Sequence, residues 1–176
     1  DWTGGKLITV TPGLFTEEAD LGELNMADPQ TLADFVARGI QEHPADHYAL
    51  ILWDHGSIAG VGSDESSGEG ISVPEIATGI RAGLAAAGVP SLDIVGFDAC
   101  LMGAFEVASA MPGLATYMVA SEEVEPNDGW DYSAFGLIAA QPDTVTARGL
   151  GEEIVSRYVA TSGAGAPTVT MSLVDL

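Results

Sequence analysis

Two apolar runs end in residues that together could carry out acyl transfer: Ile51-Leu52-Trp53-Asp54-His55 and Gly96-Phe97-Asp98-Ala99-Cys100. Cysteine acyl transfer needs a sulfur nucleophile and an imidazole that hands a proton to the departing amine. His55 and Cys100 supply those parts if their strands are neighbours. Backbone N–H groups at Gly56 and Cys100 would then receive the oxyanion. The glycine after the histidine would let substrate approach the main chain. Taken alone, Cys100 reads equally well as a small packed core residue.

Asp98 sharpens the choice. Side chains alternate along a strand, so Asp98 and Cys100 point the same way. A carboxylate there repels a sulfur anion, so its presence needs another reason. A cationic substrate side chain would provide one, through a charge-assisted contact with arginine. The competing reading is a strand-end Asp that caps the next helix. Asp54 falls on the opposite side of its strand from His55 and is not expected to orient it.

The elements that must position these residues alternate between strand and helix. Lys6–Val10 is a short strand stopped by Pro12-Gly13, and residues 15–29 read as acidic and irregular. Leu32, Phe35, Val36 and Ile40 make one face of an amphipathic helix over 30–42. Tyr48–Trp53 is apolar on both faces and reads as a central strand. A Gly/Ser/acid loop over 57–71 leads to a helix from Pro74 to Ala87. Leu92–Phe97 is a buried strand, and Leu101, Ala104, Phe105, Ala108 and Met111 then recur at helical spacing. Cys100 is thus expected where a strand ends and a helix begins, an edge where ligands collect in open α/β sheets. The unpaired N–H groups of that helix would favour a sulfur anion. A strand over 115–120, a short helix over 132–140, a longer one over 144–161 and a last strand over 168–173 complete the chain. This alternation predicts a largely parallel sheet with helices on both faces.

The chain has 176 residues, 47% of them hydrophobic, and a formal charge of −21 from 26 acids and five bases. That length fits one domain or part of one. The charge argues against nucleic acid or an anionic membrane as partner and fits a solvated saline surface or a site for cations. No apolar run reaches the roughly 18 residues of a membrane span. The single cysteine excludes an internal disulfide and leaves the compartment unread.

Ile51-Leu52-Trp53-Asp54-His55-Gly56, Gly96-Phe97-Asp98-Ala99-Cys100-Leu101-Met102-Gly103, and Ser121-Glu122-Glu123 followed by Gly129-Trp130-Asp131-Tyr132 resemble the clostripain family of cysteine peptidases. The segment Leu21–Pro29 resembles the lead-in to that domain. The resemblance implies a caspase-like, three-layer α/β/α fold over residues 1–176, with further strands expected ahead of Asp1 and a truncated C-terminal side. It implies Cys100 as nucleophile, His55 as its partner, and cleavage of peptides or proteins after arginine or lysine. It places Asp98 at the floor of the specificity pocket, with Asp128 as a second pocket acid and Ser121 and Glu122 beside the substrate. It also implies export, to a secreted or cell-envelope location in a bacterium or archaeon. Ser57-Ile58-Ala59 departs from the family, whose members commonly carry another glycine two or three residues past the His-Gly.

Other features have plainer readings. His43 and His47 are four apart, but Pro44 breaks the helix a zinc pair would need. The loop Ser63–Gly70 could give calcium oxygen ligands, though it lacks the spaced acids of an EF-hand. No cofactor is required by the chemistry, and calcium stays open because some members of the family use it. Glu122, Glu123 and Glu125 either line a groove or face water. Trp130 reads as a packed aromatic before the helix cap Asp131. Two functions from other classes remain: an incomplete module that binds basic peptides without cleaving them, and a calcium-dependent surface domain.

Overall fold

The structure is a computed structural model that describes residues 4–64, 66–162 and 168–176. Glu65, within the acidic loop considered for calcium, lies outside the described residues. In chain order the elements are β1 (Gly5–Thr11), β2 (Leu14–Gly22), α1 (Pro29–Glu42), β3 (Ala49–Trp53), β4 (Gly56–Ser57), β5 (Gly60–Val61) and β6 (Ile71–Ser72). They continue with α2 (Val73–Ala87), β7 (Leu92–Asp98), α3 (Phe105–Ala108), β8 (Ala115–Ala120), a 3-10 helix (Tyr132–Phe135), α4 (Gly136–Ala140), α5 (Ala147–Ser162) and β9 (Ser172–Asp175).

The main sheet has the order β3-β7-β8-β9. β3, β7 and β8 are parallel, and β9 runs antiparallel to β8. Alternation along β7 and β8 builds two cores. Val95, Phe97, Met118 and Ala120 join Leu32, Val36, Ile76 and Ile80 of α1 and α2 on one face. Ile94 and Val119 join Trp130, Leu150, Ile154 and Tyr158 on the other. The result is the expected three-layer α/β/α arrangement around a mostly parallel sheet.

Five local expectations are corrected. Residues 15–29 are not all irregular, because β2 pairs antiparallel with β1 across the Pro12-Gly13 turn. Most of that hairpin is exposed, so it has no buried apolar face for hydrophobic periodicity to reveal. β3 is an edge strand of this sheet rather than a central one. It is apolar because helical layers cover both faces: Leu50 enters one core and Ile51 packs against the other. The 57–71 loop holds a small three-stranded sheet, β4-β5-β6. The last strand starts later than expected, at Ser172.

The fifth correction bears on the site. No long helix follows Cys100; the chain turns instead, and α3 covers only Phe105–Ala108. Leu101 takes a left-handed φ of 63°, which a continuing right-handed helix excludes. Its N–H donates to the Glu123 carbonyl at 3.2 Å, and that of Gly103 to the Ser121 carbonyl at 2.7 Å. The turn thus hydrogen-bonds to the segment after β8 and not to itself. Met111 is buried as expected and Val107 is buried too, but Phe105 is 82% exposed.

The helices α1 and α2 approach closely because α2 offers glycine at the contact. A Cβ at Gly83 would lie 2.7 Å from both the Ala33 carbonyl oxygen and the Val36 Cβ. Overpacking of this kind costs about 1–3 kcal/mol. Gly83→Val is expected to lower stability by that amount, read as a reduced urea midpoint with an unchanged denaturant slope.

Candidate active site

Register sets the site. In the parallel pair β3–β7, Trp53 stands opposite Asp98. Each chain runs on two residues past that rung, to His55 and to Cys100, so both arrive at the same level of one sheet edge. Gly56 seals the approach. A Cβ there would fall 2.9 Å from the Cys100 nitrogen and overlap the Cys100 carbonyl, so only glycine lets the two backbones touch. His55 is pinned on both sides: its N–H donates to Asp54 Oδ1 at 2.5 Å, and its carbonyl accepts from the Gly62 N–H at 2.8 Å.

A cleft of about 120 Å³ opens here, and Trp53, His55, Asp98, Cys100 and Glu125 are among the residues that line it. Cys100 is part-buried and Sγ faces the backbone of Glu125. The Glu125 N–H donates to the sulfur at 3.3 Å, giving a sulfur anion the hydrogen-bond donor that the expected helix would have supplied. Trp53 is 68% exposed and forms an outer wall. Asp54 is also among the residues that line the cleft. Its carboxylate holds the backbone of His55, as above.

Asp98 is only 3% exposed. It does not cap a helix. Oδ2 accepts from the Trp130 N–H at 3.2 Å and from the Tyr132 hydroxyl at 2.9 Å. Burial, and then the Asp98 charge, push the Tyr132 phenol up, so it remains a donor to that carboxylate. Glu125 is 8% exposed, and neither of its carboxylate oxygens has a hydrogen-bond partner among the described residues. Burial first, and then Asp98 beside it, push the Glu125 carboxyl up to about 9.

The other expected site residues lie elsewhere. Ser121 is fully buried and its hydroxyl bonds the Glu123 carbonyl and Thr170. The Glu122 N–H also donates to Thr170, at 3.1 Å, and its side chain is exposed. Both tie the end of β8 to residue 170 and neither lines the cleft. Asp128 lines an adjoining depression of about 440 Å³, which shares Pro126 and Gly129 with the cleft but contains neither His55 nor Cys100. Trp130 is buried, and Asp131 caps the 3-10 helix through Ser133.

Among the described residues, no group of three or more His, Cys, Asp or Glu could hold a metal ion. In the acidic loop, Asp64 accepts from the N–H groups of Met26, Ser66 and Ser67. Its oxygens fasten that loop to the segment before α1. His47 pairs with Asp93 at 2.9 Å, and the backbone N–H of His43 caps α1. Glu125 and Tyr132 are the site residues that sequence reasoning did not single out. Nothing in the spacing of Glu122, Glu123 and Glu125 distinguishes the buried one.

A three-layer α/β/α fold with a histidine and a cysteine at one edge of adjacent parallel strands defines a caspase-like chain with a candidate cysteine-nucleophile site. Residues 13–176 match the clostripain family, and the chain belongs to it. A comparison with curated proteins found no match. Among solved structures, the chain is similar to a secreted cysteine protease from Bacteroides thetaiotaomicron in complex with an irreversible peptide inhibitor. The TM-score there is 0.75 at 19% identity, covering 97% of this chain and 51% of the other. It is also similar to an inactive zymogen protease from Parabacteroides distasonis, with a TM-score of 0.66 at 23% identity, covering 97% of this chain and 46% of that one. The chain therefore spans about half the length of these structures.

The Glu125 environment has a pH signature. Its carboxyl is raised from 4.5 to about 9 in the folded state. Between those values the unfolded chain loses the proton and the folded chain keeps it, so this group's contribution to stability falls as pH rises. Below 4.5 it has no effect. Glu125→Gln removes that loss. Relative to the parent, the variant is expected to gain little at pH 5 and progressively more as pH rises, to on the order of 1–3 kcal/mol near pH 9 after solvent screening, measured by urea unfolding at each pH.

Proposed function

We propose that this chain carries the reaction centre of a cysteine endopeptidase that cleaves after arginine or lysine. One observation carries the reading: the β3–β7 register brings His55 and Cys100 to a single cleft floored by the buried Asp98. Membership of the clostripain family supports it. The secreted protease among the similar structures supports an exported protein.

In this reading the Cys100 sulfur anion adds to the scissile carbonyl, whose π electrons move onto oxygen. The N–H groups of Gly56 and Cys100 receive that oxyanion. Collapse expels the amine, which takes its proton from the His55 imidazolium, and a thioester remains on Cys100. Water then attacks the thioester, His55 accepts its proton, and the acid product leaves as the sulfur regains its starting form. The Asp98 carboxylate attracts the basic side chain before the cleaved bond, with the Trp130 N–H and Tyr132 hydroxyl holding it in place. A guanidinium matches a carboxylate in shape as well as charge, which favours arginine over lysine.

Intact-mass labelling with an arginine-bearing thiol-reactive inhibitor and its neutral twin tests this. The parent is expected to form a single adduct, faster with the arginine reagent, and Cys100→Ala none. His55→Ala is expected to slow cleavage of an arginine substrate by about 10²–10⁴-fold. Asp98→Asn should erase the preference for arginine by about 100-fold or more, since it leaves the substrate cation without its buried partner. Equal, slow labelling by both reagents would overturn the reading. Arginine-peptide binding that survives Cys100→Ala with no adduct in the parent would instead indicate a binding module.

A further inference from the structure

The cleft holds an acid that the proposed reaction does not use. Glu125 is buried, both its carboxylate oxygens lack a partner among the described residues, and it lines the same cleft as Asp98, His55 and Cys100. Two carboxylates side by side both accept hydrogen bonds, and neither can donate one unless it holds a proton. No lysine or arginine is among the residues that line the cleft. Beside Glu125 stand Asp98 at the end of β7 and the Trp130 indole, an uncharged donor; Cys100, Asp54 and His55 line the same cleft, and Tyr132 and Tyr158 approach from the helical layer. Both phenols are pushed up and neutral, so none of the neighbours on that side offers a fixed positive charge. A cation that satisfies both acids has to come from outside the chain.

We propose that Glu125 is a second specificity-determining acid, which shares one proton with Asp98 in the empty cleft and gives it up when a cationic side chain enters. This rests on the basic-pocket reading above. The balance is simple. The empty pair carries one proton and one negative charge; the occupied pair carries two negative charges against one incoming amidinium, guanidinium or ammonium, and one proton passes to solvent. The pocket then accepts its cation in exchange for a proton, keeping the same net charge. A buried site that stayed doubly charged when empty would bear like charges in contact, which proteins avoid by holding one proton across the pair.

The test is binding of benzamidine, with neutral benzamide as its twin, to the full chain by calorimetry from pH 6 to 8 in buffers of different ionisation enthalpy. The parent is expected to release close to one proton per benzamidine, so affinity rises by nearly tenfold for each pH unit. Glu125→Gln, checked for folding by its thermal transition, is expected to bind with no proton release and no pH slope. A parent that prefers benzamidine but releases no proton overturns this proposal and leaves the basic pocket standing. A pH slope retained in Glu125→Gln assigns the proton to His55 and also overturns it. A parent that does not distinguish benzamidine from benzamide at any pH, or an Asp98→Asn variant that distinguishes them as well as the parent does, overturns the basic pocket and this proposal together.

Discussion

Everything at the cleft depends on one rung of the sheet, Trp53 opposite Asp98. Side chains reverse direction at each residue along a strand, so a slip of one position would swing His55 or Asp98 to the far face. The rung is protected from slipping by burial on both faces of β7, where one side enters the α1–α2 core and the other the core under α5. Contact between Gly56 and the Cys100 backbone then converts strand register into side-chain position. The hydrophobic layers are therefore the device that aims a polar site, and their precision reaches the sulfur through two residues of chain.

Charge is distributed very unevenly. The chain has 26 acids and five bases, and Lys6, Arg38, Arg148 and Arg157 are each engaged by surface carboxylates. Pairs of that kind contribute little to stability because water screens them. The two buried acids of the cleft, Asp98 and Glu125, sit where screening is weak, and no lysine or arginine lines the space around them. Unpaired acid on the surface is solvated and inexpensive; the same chemistry inside the fold has to be resolved by a proton or by a ligand.

How much was legible in the sequence follows from which forces leave a local trace. The helices α1 and α2 and the strands β3, β7 and β8 are written in apolar periodicity and bounded by Pro and Gly, so burial and propensity agree there. The juxtaposition of His55, Asp98 and Cys100 followed once the two strands were taken as neighbours. The second strand of the β1–β2 hairpin was hidden because backbone pairing holds it in place and it buries little. The helix expected after Cys100 failed because Leu101 and Gly103 donate to carbonyls beyond β8, a partner about 20 residues away that no local pattern reports. For the same reason Glu125 could not be told from Glu122 and Glu123. Its burial comes from the way the 125–130 segment folds back over β7, where Trp130 bonds Asp98.

Leu101 has one more consequence. A leucine at a φ of 63° stores about 1–2 kcal/mol of backbone strain, and here that strain sits one bond from the residue that bears the sulfur. It persists because the Glu123 carbonyl holds the Leu101 N–H from the other side of the turn. The turn behaves as a bent spring held by a latch. The latch belongs to the same short segment that supplies the Glu125 N–H to the sulfur. One short segment, residues 121–125, therefore both restrains the strained turn and supplies the donor that faces the sulfur.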